Sequence, residues 1–180
     1  MLVLGLCGSL RRASYNRRLL HAAAAELPHA VTMEVFEALT DIPPYSEDSA
    51  APHAVRALRD AITAAGTVVI ATPEYNSSVP GQLKNALDWA SRPFPDNSLR
   101  HKPVAVVGAS TGLFGAVWAQ AELRKVLAAI GAHVIDVELP VGLVHEAFAD
   151  DGRLADPSLR STLADIVGQL LREAGFELCA

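Results

Sequence analysis

Apolar residues follow two rhythms along this chain, and the rhythms alternate from one end to the other. Continuous runs at Leu2 to Cys7, Thr32 to Phe36, Thr67 to Ala71, Val104 to Ala109 and His133 to Val137 read as strands. Several lack polar alternation, as expected of strands covered on both faces. Between them, helical spacing predicts Asn16 to Ala25, Ala51 to Ala65, Gly81 to Ser91, Ala116 to Ile130 and Pro157 to Ala174. The fourth of these sets Val117, Ala121, Leu123, Leu127 and Ile130 apart from Glu122, Arg124 and Lys125. Gly66 and Gly131 stand just past two helix ends, where glycine is favoured. Strand and helix in alternation imply an α/β fold: a three-layer sandwich around a five-stranded parallel sheet.

Folds of this class bind ligands beyond the carboxyl ends of their strands, at a switch point. The loops after strands one, three and four should therefore converge, and these three are unusually polar. The first, Gly8 to Asn16, gathers Ser9, Arg11, Arg12 and Ser14 where a strand meets a helix N-terminus. Unpaired helix N–H groups and a guanidinium there suit a phosphate first; the alternative is a plain βα turn with surface arginines and Ser14 as helix cap. The second, Thr72 to Pro80, is stiffened by Pro73 and Pro80 and walled by Tyr75, which suits a flat heterocycle read by backbone groups. Glu74 reads as a solvated carboxylate sooner than as an acid or base, and Trp89 as core or subunit packing. The third, Gly108 to Ala116, lets backbone approach a ligand at its glycines; its alternative is a turn capped by Ser110 and Thr111.

Composition narrows the class. At 180 residues, 51% apolar and 19% charged, the chain reads as one globular domain spanning residues 1–180. A net charge of -5 speaks against a nucleic-acid partner, and the apolar runs are too short for a membrane helix. Met1 leads straight into a strand without a leader-like segment, so a cytoplasmic location is expected. Cys7 reads as a buried strand residue and Cys179 as a tail thiol. The six histidines lack metal-ligand spacing, so no metal site is expected. Asp41 to Pro52, rich in prolines, is a surface loop placed to border a site.

The stretches GSLRRASYN, PEYNSSVPGQLKNALDW and GASTGLFGA, in that order, resemble the NADPH-dependent FMN reductase family, which includes quinone, chromate and azo-dye reductases. The resemblance runs from Leu2 to about Ile130. It implies a flavodoxin-like fold with strand order 2-1-3-4-5, bound FMN, NADPH as reductant, a small-molecule electron acceptor, and a homodimer or homotetramer. Carried over by position, Ser9, Arg11, Ser14 and Asn16 correspond to the phosphate loop. Pro73, Glu74, Tyr75 and Asn76 correspond to the loop along the flavin ring, acting mostly through backbone atoms, while Ser110 and Gly112 border the flavin. The helix Leu83 to Trp89 corresponds to the dimer contact. No side chain is then expected to be individually essential, because the cofactor carries the redox chemistry. Phe114 and Phe148 are candidates to line the acceptor pocket or simply to pack in the core, and Arg12, Arg17 or Arg18 to meet a 2′-phosphate or simply solvent. The competing readings are a flavodoxin-type electron carrier and a protein that has turned the fold to regulation.

Overall fold

The computed structural model describes residues 1–177; Cys179 lies outside them. The elements run β1 (Leu2–Cys7), α1 (Tyr15–Ala24), β2 (Thr32–Val35), a 3-10 turn (Ala38–Asp41), α2 (His53–Ala64), β3 (Thr67–Thr72), α3 (Gly81–Ala90), β4 (Pro103–Ala109), α4 (Val117–Ile130), β5 (His133–Val134), β6 (Pro140–Val141) and α5 (Pro157–Glu173). All strand pairs are parallel and the order is β2-β1-β3-β4-β5, with β6 also pairing with β4.

Alternation along the central strands divides their apolar side chains between two cores. Val3, Cys7, Val69, Ala71, Ala105 and Val107 face α1 and α5, where Leu19, Leu20, Ile166 and Leu170 are buried. Leu4, Leu6, Val68, Ile70, Val104 and Val106 face α2, α3 and α4, meeting Leu58, Ile62, Leu83, Leu87, Leu123 and Leu127. Each of the valine, leucine and isoleucine side chains contributes about 1.5–3 kcal/mol on burial. The sheet thus forms a rigid floor whose carboxyl edge carries the polar loops.

The fifth strand departs from expectation. Instead of running unbroken from His133 to Val137, the chain pairs at His133–Val134, leaves the sheet, and returns at Pro140–Val141. From Val134 to Pro140 is six steps, whereas their partners Val104 and Gly108 are four apart, so two extra residues bulge outward. A buried amide supports the bulge: Gln120 of α4 donates to the carbonyls of Gly115 (2.9 Å) and Leu139 (3.2 Å) and accepts from the Leu139 N–H (3.3 Å). Gly108 makes room, since a Cβ there would lie 2.7 Å from Gln120 Nε2.

The two glycines behind helix ends also part ways. Gly131 is left-handed, φ 98°, and ends α4 as expected. Gly66 is not; α2 ends at Ala65 in extended backbone, and a Cβ on Gly66 would lie 2.9 Å from Met1 Sδ. None of the described helices is long and apolar enough to cross a membrane.

Candidate functional site: three loops at the carboxyl edge

The first loop leaves β1 beside β3, with the Gly8 N–H donating to the Ala71 carbonyl at 2.8 Å. A Cβ on Gly8 would lie 2.9 Å from Leu83 Cδ2 and 3.3 Å from Pro73 Cδ, so glycine here lets the first two loops and α3 meet. Ser14 caps α1: its Oγ accepts from the Arg17 N–H at 3.3 Å, and its carbonyl accepts from Arg18. The Tyr15 and Asn16 N–H groups find no acceptor among the described residues, which leaves two donors at the positive end of the helix dipole. Ser9 and Ser14 are buried, and Arg11 is exposed without an ion pair to any described residue.

Asn16 does more than the sequence suggested. Its Nδ2 donates to the Ala109 carbonyl at 2.9 Å while its Oδ1 accepts from the Ala109 N–H at 3.0 Å. The side chain therefore ties the start of α1 to the end of β4, and its second N–H is what remains for a ligand.

The second loop is a two-residue hairpin. Tyr75 and Ser78 exchange backbone hydrogen bonds at 3.1 and 3.2 Å, and both central residues are left-handed, Asn76 at φ 53° and Ser77 at φ 60°. Asn tolerates that conformation better than most residues, which explains its place at the first central position. Tyr75 projects half-exposed beside the pocket. Glu74 is engaged rather than a freely solvated loop carboxylate: its Oε2 accepts from the Trp118 and Ala119 N–H groups, both at 3.1 Å, at the start of α4.

The third loop is stitched to the segment after β6 rather than serving as a helix cap. Ser110 donates its N–H to Val141 and accepts from Val144, while the Gly112 carbonyl accepts from Leu143. The position ahead of α4 is Ala116, left-handed and without a capping side chain, so Ser110 and Thr111 do not cap α4. Gly115 is also left-handed, and a Cβ on it would lie 2.2 Å from the Pro140 carbonyl carbon.

The loops enclose a pocket of about 120 Å³ lined by Ser9, Arg11, Ser14, Asn16, Pro73, Glu74, Tyr75 and Ser110, together with Tyr15, Ala109 and Thr111, which the sequence did not assign to the ligand. Asn76 and Gly112 lie in the same loops but outside its lining. A more apolar hollow of about 310 Å³ adjoins it, sharing Arg11 and Tyr75 and reaching Leu10 and Pro80. A third hollow, of about 410 Å³, lies away from these loops between α2 and α3, against Tyr45, Arg59, Trp89 and Arg92. Its guanidiniums are engaged: Arg59 donates twice to the Trp89 carbonyl and Arg92 pairs with Glu47. Burial pushes Arg59 below its ordinary range, whereas the Glu47 hydrogen bond pushes Arg92 above it and Arg92 holds Glu47 down. The Asp41 to Pro52 loop borders that hollow, fastened by Gln82, Asn85 and Trp89 of α3.

The other candidates are accounted for around the rim. Trp89 is core, edge-on to Tyr45 at 5.0 Å. Phe148 packs on the α1/α5 core and stacks on Tyr15 at 6.4 Å, whose hydroxyl hydrogen-bonds His145 Nδ1 at 3.0 Å. Phe114 is exposed, edge-on to Trp118. Neither phenylalanine lines the pocket. Arg12 is exposed, Arg17 pairs with Glu37, and Arg18 lies over the Phe148 ring at 4.4 Å.

The donor set matches a phosphate ester joined to a planar group: two hydroxyls, two helix-terminal amides and a guanidinium at one end, and rigid backbone with an aromatic wall at the other. A model of the NADPH-dependent FMN reductase family matches residues 1–146. An NAD(P)H-dependent FMN reductase of Pseudomonas aeruginosa is 42% identical over 165 residues, covering 89% of this chain and 88% of that protein. A quinone reductase of Escherichia coli K12 is 37% identical over 174 residues, covering 93% and 90%. Among solved structures, FerB, a flavoenzyme NAD(P)H:(acceptor) oxidoreductase from Paracoccus denitrificans, superposes with a TM-score of 0.84 at 34% identity over 97% of both chains. Strand order, loop motifs and relatives matched over most of their length agree: the chain belongs to the NADPH-dependent FMN reductase family.

Proposed function

We infer that this protein is an FMN-dependent NAD(P)H oxidoreductase that passes reducing equivalents from NADPH to a small acceptor of the quinone type. The observation that carries the reading is the convergence of Ser9, Arg11, Ser14 and the α1 N-terminus with the Pro73 to Tyr75 backbone on one pocket. Bound FMN supplies the electron-transferring centre between nicotinamide and acceptor. Ser9, Ser14, Arg11, the first α1 amides and the second N–H of Asn16 hold its phosphate. The backbone of Pro73, Glu74 and Tyr75 lies along the ring and Ser110 borders it, while Asn76 and Gly112, outside the lining, shape those two loops. Tyr75 and the adjoining apolar hollow provide a surface on which a flat acceptor and a nicotinamide stack in turn.

The enzyme reading is favoured over a carrier because the matched relatives are reductases and because the phosphate loop carries Arg11 as well as hydroxyls. A homodimer through α3, itself able to pair into a tetramer, fits the exposure of Phe94 just beyond that helix, at 73%, and of Trp118. The proposed setting is the cytoplasm, where nicotinamide cofactors circulate. The test is anaerobic mixing of the FMN-loaded protein with NADPH. Rapid bleaching of the oxidised-flavin band, followed by recolouring when a quinone is added, is expected. A flavin that stays oxidised over minutes supports the carrier; a chain that takes up no FMN sinks both.

A further inference from the structure

The ring loop touches α4 through two side-chain straps one helical turn apart. Glu74 Oε2 accepts from the Trp118 and Ala119 N–H groups, and Ser78 Oγ donates to Glu122 Oε2 at 2.6 Å. The straps flank a hairpin whose two central residues are held left-handed, a conformation that persists only where its surroundings fix it. Helix α4 has its own need, since Ala116 leaves its first-turn amides without a side-chain acceptor. One carboxylate thus meets both requirements: it caps the helix, and it anchors the backbone that lies along the ring.

We propose that Glu74 is a positioning residue, whose carboxylate fixes the Pro73 to Ser78 backbone against α4 and never meets the bound ligand. The proposal rests on the FMN reading of the pocket. Its Oε2 is engaged by two α4 amides, so what it supplies is a pair of fixed acceptor contacts. Loss of the carboxylate frees one end of the hairpin, leaving Ser78 as the remaining strap. The consequence is confined to the ring end of the site, because Ser9, Arg11 and Ser14 belong to a different loop with its own contacts.

The experiment uses the full chain and three variants: Glu74→Ala, Glu74→Gln and Arg11→Ala. Apoprotein is titrated with FMN and with riboflavin, which lacks the phosphate, and the visible circular dichroism of each complex is recorded. Amide hydrogen exchange is measured on the apoproteins. Glu74→Ala is expected to weaken both flavins by the same factor, about tenfold for the loss of one cap and anchor, and to alter the visible dichroism. Exchange should quicken at residues 74–78 and 118–119 alone. Glu74→Gln keeps an oxygen acceptor and should restore affinity to within about threefold, while Arg11→Ala weakens FMN only. Wild-type affinity, dichroism and exchange in Glu74→Ala overturn the proposal. So does a Glu74→Gln variant as damaged as Glu74→Ala, which would mean that the ligand senses the charge itself. A wild-type chain that takes up neither flavin sinks the FMN reading instead, and the exchange pattern still decides whether Glu74 holds the loop.

Discussion

Asn16 and Ala109 are joined by two hydrogen bonds in opposite directions, side-chain amide to backbone carbonyl and backbone N–H to side-chain oxygen. The pair welds the first turn of α1 to the end of β4, so the phosphate loop and the third loop share one rigid corner. Asn16 is buried, and its removal strands a buried carbonyl and a buried N–H. Asn16→Ala should therefore cost about 2–4 kcal/mol in urea unfolding, the penalty of two unsatisfied groups partly offset by water. A loss below about 0.5 kcal/mol would show that the corner is held by packing alone.

Arg11 carries the opposite expectation. It is exposed and free of ion pairs to described residues, so Arg11→Ala should leave the stability of the apoprotein unchanged. Its charged hydrogen bond to phosphate would be lost, weakening FMN by about 1.5–3 kcal/mol, with riboflavin unaffected. Fluorescence titration of both flavins, repeated at raised salt, reads the difference. Equal losses for the two flavins would assign Arg11 to the ring end.

The core strands and the three loops were legible because each rests on a local signal: an apolar run both of whose faces are covered, or hydroxyls and arginine at a strand-to-helix turn. Long-range side-chain contacts were not. Asn16 reads in the sequence as one more polar residue of a phosphate loop, and nothing local reveals that Ala109 occupies it. Glu74 reads as a loop carboxylate because its partners lie more than forty residues on, and they are backbone amides without sequence identity. The broken fifth strand escaped for the same reason. Apolar Val134, Ile135 and Val137 promised continuity, but Gln120, on another element, supplies the hydrogen bonds that let the backbone leave the sheet. Tyr15 was passed over between two hydroxyl and amide residues, although an aromatic in that gap was the available clue.

That account of Gln120 makes its own prediction. Gln120→Leu nearly preserves volume but leaves the Leu139 N–H and the Gly115 carbonyl without partners, while the Leu139 carbonyl keeps the Gly108 N–H, costing about 2–3 kcal/mol. Gly108→Ala presses a methyl against the same amide from the other side. The two substitutions act on one contact, so their combined effect should be smaller than the sum of the singles. Denaturant midpoints of both singles and the double mutant check this, and strict additivity would separate the bulge from Gly108.

The last prediction concerns acid. Arg17 and Glu37 form an ion pair between α1 and the start of the 3-10 turn that follows β2; the Arg17 hydrogen bond holds the Glu37 carboxyl below its ordinary value and Glu37 raises Arg17. For a carboxyl depressed in the folded state, stability is present above the unfolded pKa and is lost as pH falls through the folded one. The unfolded Glu value is about 4.3, so the contribution is complete at neutral pH and fades below about pH 4. The pair is largely solvent-exposed, which limits it to under about 1 kcal/mol. Urea unfolding of wild type and Glu37→Gln should therefore differ by that small amount at pH 7 and converge in acid, once the folded carboxyl is protonated. A difference that persists at acid pH would mean that Glu37 contributes through packing, and that the ion pair beside the phosphate loop adds nothing to its stability.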